Sequence, residues 1–335
     1  MITILKPGFQ TTIQDLGRFG YQKYGVITSG AMDSISFRLA NLLVGNEENE
    51  SALEMTIQGP HIVFGQDSLI AITGGDLSPT INQTPIPLWK IIFVKKGTEL
   101  KFNRAQTGCR AYLAIAGGFS IPKVMTSAST YLRANIGGFK GRTLRAGDQL
   151  SLYSPSPRVL PLIEQARQKV GNLSFIEKDW SISTNYLPDI SSHPVIRIIK
   201  GREYHLFTEE SQHLFFHESF SITPHSDRMG YRLQGPSLRL ENKQEMISTA
   251  VTFGSIQVPS AGNPIILMAD RQTTGGYPII GQVASVDLPL ISQTKPGDLL
   301  SFSEITLKEA QLLYLKREQN LRSIKQAILQ KFQEV

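Results

Sequence analysis

The sequence predicts a mainly β protein made of two similar β-domains, with a few helices and a helical tail. Three observations carry that expectation. Short apolar runs bounded by Gly, Pro, Asn or Asp dominate up to about residue 305, which is how strands joined by tight turns read. Gly and Pro number 28 and 18 in 335 residues, suiting many short strands and barrel or sandwich architecture. The chain also echoes itself. Asp15-Leu16-Gly17-Arg18-Phe19-Gly20-Tyr21 resembles Asp227-Arg228-Met229-Gly230-Tyr231, and Ala146-Gly147-Asp148-Gln149-Leu150-Ser151-Leu152 resembles Pro296-Gly297-Asp298-Leu299-Leu300-Ser301-Phe302. Two echoes in the same order point to a duplicated β-domain, each copy closed by a Gly-Asp turn and an alternating strand.

Taken in order, Ile62-Val63-Phe64, Leu69–Ile72, Ile91–Val94 and Tyr112–Ala116 read as strands of the first domain. Val195–Ile199, Ile256–Val258 and Ile265–Met268 repeat that style in the second. A helix is expected from Ser34 to Val44, where Ile35, Leu39, Leu42 and Leu43 recur at helical spacing and Asp33 or Ser34 can cap the start. The tail from Leu307 to Phe332 is a longer helix, with Leu321, Ile324 and Ile328 on one face. Ser154-Pro155-Ser156-Pro157 marks a boundary, followed by a helical stretch at 161–170 and a polar, irregular one at 179–194. The domains are therefore expected at 1–155 and 195–305, joined by 156–194 and followed by the helix 306–335.

The net charge of +6 favours anionic partners such as phosphates or carboxylates. Nucleic acid is disfavoured: the basic residues are scattered among acids, with no zinc finger, RNP motif or basic helix. One cysteine, Cys109, allows no internal disulfide, and its neighbours place it in a strand as a small buried thiol. No signal pattern opens the chain and no run is long and apolar enough to span a membrane. A cytoplasmic location is expected.

Generic catalytic motifs are missing: no phosphate loop, no His-Glu-x-x-His, no Gly-x-Ser-x-Gly and no Met-Lys-Met-like site for covalent biotin. The densest candidate is Asp270-Arg271-Gln272-Thr273-Thr274-Gly275-Gly276-Tyr277-Pro278, directly after an apolar strand. Hydroxyls and exposed Gly N–H groups can cradle a phosphate or carboxylate, with Asp270 as a base and Arg271 balancing negative charge. A plain Gly-Gly turn in solvent explains the same letters. A second candidate, Pro224-His225-Ser226-Asp227-Arg228, offers an acid–base set, or equally an ion pair pinning a loop. In the first half, Thr73-Gly74-Gly75-Asp76 reads as another Gly-rich turn carrying a carboxylate. His213 and His217, four apart, can share a helical face and bind metal, though no further ligand is obvious and a packed amphipathic segment is the default.

These motifs resemble the biotin-dependent carboxyltransferase-like family that includes allophanate hydrolase subunit 2 and the C subunit of 5-oxoprolinase, the KipI antagonist. The resemblance runs through Thr12–Arg18, Ala40–Asn46, Leu53-Glu54, Arg110–Ala114, Gly117-Gly118-Phe119, Ser226–Gly230, Ile256-Gln257-Val258-Pro259, Gln272–Pro278 and Pro296-Gly297-Asp298. It implies two cyclophilin-like β-barrels. It also implies a component of an ATP-dependent 5-oxoprolinase that opens 5-oxo-L-proline to L-glutamate together with a KipI-like B subunit and an A subunit. Mg would accompany ATP, and no biotin would be carried on this chain. Catalysis is then expected at Asp227, Arg228 and Asp270, with the metal left open. Substrate or phosphate contacts are expected from His225, Gln257, Gln272, Thr273, Thr274, Gly275, Gly276, Tyr277, Asp15, Arg18, Gly74, Gly75 and Asp76. Two alternatives stand beside it: a regulatory protein that sequesters a KipI-like kinase inhibitor, and the carboxyltransferase part of a urea carboxylase system.

Overall fold

The computed structural model describes residues 1–242, 244 and 246–334. Two compact units result, and they interleave along the chain. The first comprises Met1–Gly17, Asp33–Asp189 and the tail from Gln319; the second comprises Arg18–Met32 and Ile190–Glu318. The linear domains 1–155 and 195–305 make up most of each unit, yet the stretch Arg18–Met32 belongs with the second.

In the first unit the strands form two six-stranded sheets. One runs in the order Gln149–Leu150, Ile2–Lys6, His61–Phe64, Glu99–Lys101, Thr80–Ile81 and Thr84–Pro85. The other runs Phe175–Ser181, Lys90–Val94, Ser68–Asp76, Thr107–Ile115, Ala52–Thr56 and Gln10–Gln14. Ile4, Ile62, Phe64 and Leu100 from one sheet join Ile13, Leu53, Ile72, Ile92 and Leu113 from the other in one buried core. Strand Ile2–Lys6 alternates as a one-sided strand should, with Ile2 and Ile4 buried and Thr3 less so. Ser68–Asp76 is instead buried from Ser68 through Gly75. Its outer face is covered by the helix Ser34–Leu43, where Thr73 Oγ1 donates to the Ser36 carbonyl at 2.6 Å. Asp33 caps that helix by accepting from the Ser36 N–H at 3.0 Å.

The second unit is a closed barrel of seven strands: Val195–Lys200, Ile279–Val283, Ser255–Gln257, Ile265–Leu267, Gly230–Gln234, Phe220–Ile222 and Leu299–Glu304. Val195–Lys200 closes it by pairing parallel to Leu299–Glu304, the other pairings being antiparallel. Closure leaves no free sheet edge. Ile196, Ile198, Ile256, Ile266 and Ile280 fill the interior, and Phe215 of the helix Glu209–His217 packs on Phe302 with ring centroids 4.9 Å apart.

The predicted duplication is visible in hydrogen bonds. Ile4 N donates to Asp148 O at 2.9 Å and Gly147 N to Ile4 O at 2.8 Å. In the second unit Ile222 N donates to Asp298 O and Gly297 N to Ile222 O, both at 2.9 Å. Gly147 and Gly297 hold φ of 86° and 92°, a conformation that favours glycine. The other echo matches too: Asp15 Oδ1 accepts from Gly17 N, and Asp227 Oδ1 from Met229 N, each at 2.8 Å.

The tail helix spans Leu307–Gln333, with Leu321, Ile324 and Ile328 buried as their spacing predicts. Among the described residues no helix is long and apolar enough to cross a membrane.

Candidate functional site

The segment that follows strand Ile265–Leu267 is anchored by a buried ion pair. Arg228 Nε donates to Asp270 Oδ2 at 3.0 Å and Nη2 to Oδ1 at 2.9 Å, and Ser29 Oγ also donates to Oδ1, at 2.7 Å. Arg228 Nη2 further reaches the Gly30 carbonyl at 2.6 Å. Both side chains are nearly inaccessible, at 5% and 6% exposure. This pattern engages both carboxylate oxygens and suits a fixed support better than a mobile proton carrier. Asp227, next in chain to Arg228, is exposed and receives the Met229 and Gly230 N–H groups in a turn, with exposed His225 beside it in sequence.

Beyond Asp270 the predicted Gly-Gly turn is partly a strand: Thr274–Gly275 pairs antiparallel with Thr249–Ala250. Thr273 O accepts from Val251 N at 3.1 Å. The glycine at 275 lies directly over Gln257. A Cβ there would sit 2.5 Å from Nε2 of the buried Gln257, whose amide donates to Tyr277 O at 3.3 Å. The motif residues Gln257, Gly275 and Tyr277 are thus brought together, while Gln272, Thr273 and Thr274 lie on the connecting stretch.

Gly276, Tyr277 and Pro278 line a cleft of about 1010 Å³, with Phe207, Leu238, Leu240, Val258 and Pro259 among its apolar walls. Its charged lining residue, among those described, is Arg239. A second hollow of about 510 Å³ shares Gln244, Met246 and Tyr277 with the first and adds Arg202, Glu203 and His205. Sequence reasoning missed Arg239, which sits between two leucines with no motif around it.

The candidates from the N-terminal half of the sequence have structural partners. Asp15 is buried and accepts from Gly17 N, Ser127 Oγ, Ala128 N and Ser129 Oγ. Arg18 is fully buried in the second unit, its N–H bonded to Thr28 O at 2.7 Å. Thr73-Gly74-Gly75-Asp76 is not the turn its glycines suggest. It ends the strand Ser68–Asp76, with Gly74 opposite Ala111, and Asp76 then caps Ser78 N at 2.7 Å. A buried polar pair that falls within the quoted motifs but was not among the expected site residues lies nearby in the sheet: Tyr112 Oη donates to Glu54 Oε2 and accepts from Asp33 N, each at 2.8 Å. Burial, reinforced by the Glu54 and Asp33 charges, pushes the Tyr112 phenol well above its ordinary range.

His213 and His217 stack with centroids 3.9 Å apart, and His217 Nδ1 bonds to the His213 carbonyl at 2.8 Å. Among the described residues no three metal-binding side chains gather at one point.

The chain belongs to the family of the carboxyltransferase domain, subdomain A and B, whose model matches residues 24–304. It is 39% identical to the C subunit of 5-oxoprolinase from Haemophilus influenzae over 99% of this chain and 100% of that one. It is 36% identical to the corresponding 5-oxoprolinase C subunit of Escherichia coli, over 92% and 93%. Urea amidolyase of Saccharomyces cerevisiae is 35% identical over 94% of this chain, which corresponds to 17% of that longer protein. The crystal structure of the K. lactis urea amidolyase superposes with a TM-score of 0.85 at 32% identity, covering 96% of this chain and 20% of that one.

Proposed function

We propose that this chain is the C subunit of a 5-oxoprolinase and, with its partner subunits, converts 5-oxo-L-proline to L-glutamate driven by ATP hydrolysis. The observation that carries this reading is the end-to-end match, 99% of one chain on 100% of the other, with the C subunit of a 5-oxoprolinase. The urea amidolyases match only as a minor part of much longer chains.

The cleft suits such a substrate. 5-Oxoproline is a compact ring with an apolar edge, a lactam and one carboxylate. Apolar walls at Phe207, Leu238 and Val258 take the ring, Arg239 faces the carboxylate, and no described lining residue of the larger lobe is acidic. A lactam carbonyl is a poor electrophile, and transfer of a phosphoryl group to its oxygen from ATP, the co-substrate, eases attack by water. This chain's part is to bind and orient. Asp270 and Arg228 hold the base of the segment that rims the cleft, and the Gly275–Gln257 contact sets the position of Tyr277. The partners in this reading are a KipI-like B subunit and an A subunit, and the location is the cytoplasm.

The test is reconstitution: ATP hydrolysis is measured for the three purified subunits with and without 5-oxoproline, and again with this chain omitted. Turnover that requires both 5-oxoproline and this chain is expected. A stable assembly with no such turnover sinks the assignment.

A further inference from the structure

Arg271, Gln272, Thr273 and Thr274 are four consecutive polar side chains whose bonding capacity the protein leaves almost unused. Arg271 is half-buried. Its Nε is sealed from water with no acceptor, and Nη1 reaches only the Met268 carbonyl at 3.5 Å, the outer limit of hydrogen bonding. The adjoining carboxylate, Asp270, is already engaged by Arg228 and Ser29. The Phe253 ring, 6.0 Å from the guanidinium carbon, lies at the edge of cation–π range. Burial pulls the Arg271 guanidinium down to about 10, only partly opposed by the charge of Asp270. A cation that has lost part of its water, and whose neighbouring carboxylate is already bonded to Arg228, is unfavourable until a further anion pairs with it.

The three following side chains make no hydrogen bond among the described residues. The stretch is nevertheless held at both ends. Asp270 N donates to Arg228 O at 2.7 Å on one side, and Thr274–Gly275 is paired to Thr249–Ala250 on the other. Uncommitted donors on a braced backbone are a preorganised receptor.

We propose that Arg271–Thr274 is an oxyanion-binding site, with Arg271 as its anchoring cation and the amide and hydroxyls of the next three residues as the available further donors. The ligand is a small carboxylate or phosphate. The site does not depend on 5-oxoproline being the substrate.

The experiment is calorimetric titration of the full chain with inorganic phosphate and, separately, with L-5-oxoproline. Wild type is expected to bind at least one of them, and Arg271→Gln to bind it roughly tenfold or more weakly, as loss of a charge-assisted contact predicts. Arg271→Lys should retain part of the affinity. A second measurement needs no variant: phenylglyoxal modification mapped by mass spectrometry, in which the bound anion slows reaction at Arg271 and not at the exposed Arg322. Phosphate as the ligand identifies a phosphoryl-type site; 5-oxoproline identifies a carboxylate site. If neither anion binds, or binding survives Arg271→Gln with no protection of Arg271, the site does not exist. Should phosphate bind through Arg271 while the reconstituted subunits show no 5-oxoproline-dependent turnover, the site stands and the 5-oxoprolinase assignment falls.

Discussion

Asp270 and Arg228 face each other through two parallel hydrogen bonds of 2.9 and 3.0 Å, almost wholly out of contact with water. Removing one partner of such a pair leaves the other charged and buried, which costs about 3–5 kcal/mol. Arg228→Met is therefore expected to lower unfolding stability by about that amount in urea titration. The double variant Arg228→Met/Asp270→Leu should recover most of the loss. If the single variant is as stable as wild type, the pair is not a structural support.

Gly275 and Gln257 give a second, sharper test. A methyl at 275 must displace a buried amide from 2.5 Å. Gly275→Ala should destabilise by about 1–3 kcal/mol, the usual cost of overpacking. Adding Gln257→Ala should relieve most of it, because the obstructing atoms are then gone. Thermal melts of the two single variants and the double resolve this, and simple additivity would rule the contact out as the cause.

The Gly-Asp closure of the first unit makes stability depend on pH. The hydrogen bond from Arg142 to Asp148, 2.7 Å in its shorter arm, holds the Asp148 carboxyl below its ordinary value of 3.8. A carboxyl depressed in the folded state contributes its full stability above that ordinary value and loses it as the pH falls through the folded value. Asp148→Asn should thus cost about 1 kcal/mol at pH 7. The difference from wild type should shrink steadily below about pH 4. A difference that is constant from pH 7 to pH 2.5 contradicts the assignment.

For the cleft, Arg239→Ala is expected to raise KM for 5-oxoproline about tenfold in the reconstituted enzyme, with a smaller change in kcat. That split is the signature of lost ground-state binding. An unchanged KM would move the substrate out of this cleft.

Much of the fold was legible because apolar runs and Gly-Asp turns are local signals. Ile62, Phe64 and Ile92 lie in the strands their apolar runs announce, and the two closures at Gly147 and Gly297 make the same pair of hydrogen bonds. The glycines misled where they served packing. Gly74 and Gly75 lie inside a strand, and Gly275 makes room for Gln257. Arg239 was invisible because its cleft is assembled from segments distant in sequence. The membership of Arg18–Met32 in the second unit was hidden for the same reason: nothing local distinguishes a segment that packs with its neighbours from one that packs two hundred residues away.

That membership has a consequence for how the protein is made on the ribosome. Ser29 and Gly30 emerge early, yet their partners Asp270 and Arg228 are synthesised far later, and Met32 must wait for Ser292, whose hydroxyl donates to its carbonyl at 2.6 Å. The first unit, for its part, gains its last segment only with the residues from Gln319 onward. Neither unit corresponds to a contiguous stretch of gene, so the first N-terminal residues of each must wait for segments made some three hundred residues later. A fragment cut at residue 190 would separate the barrel from a piece of its own interior.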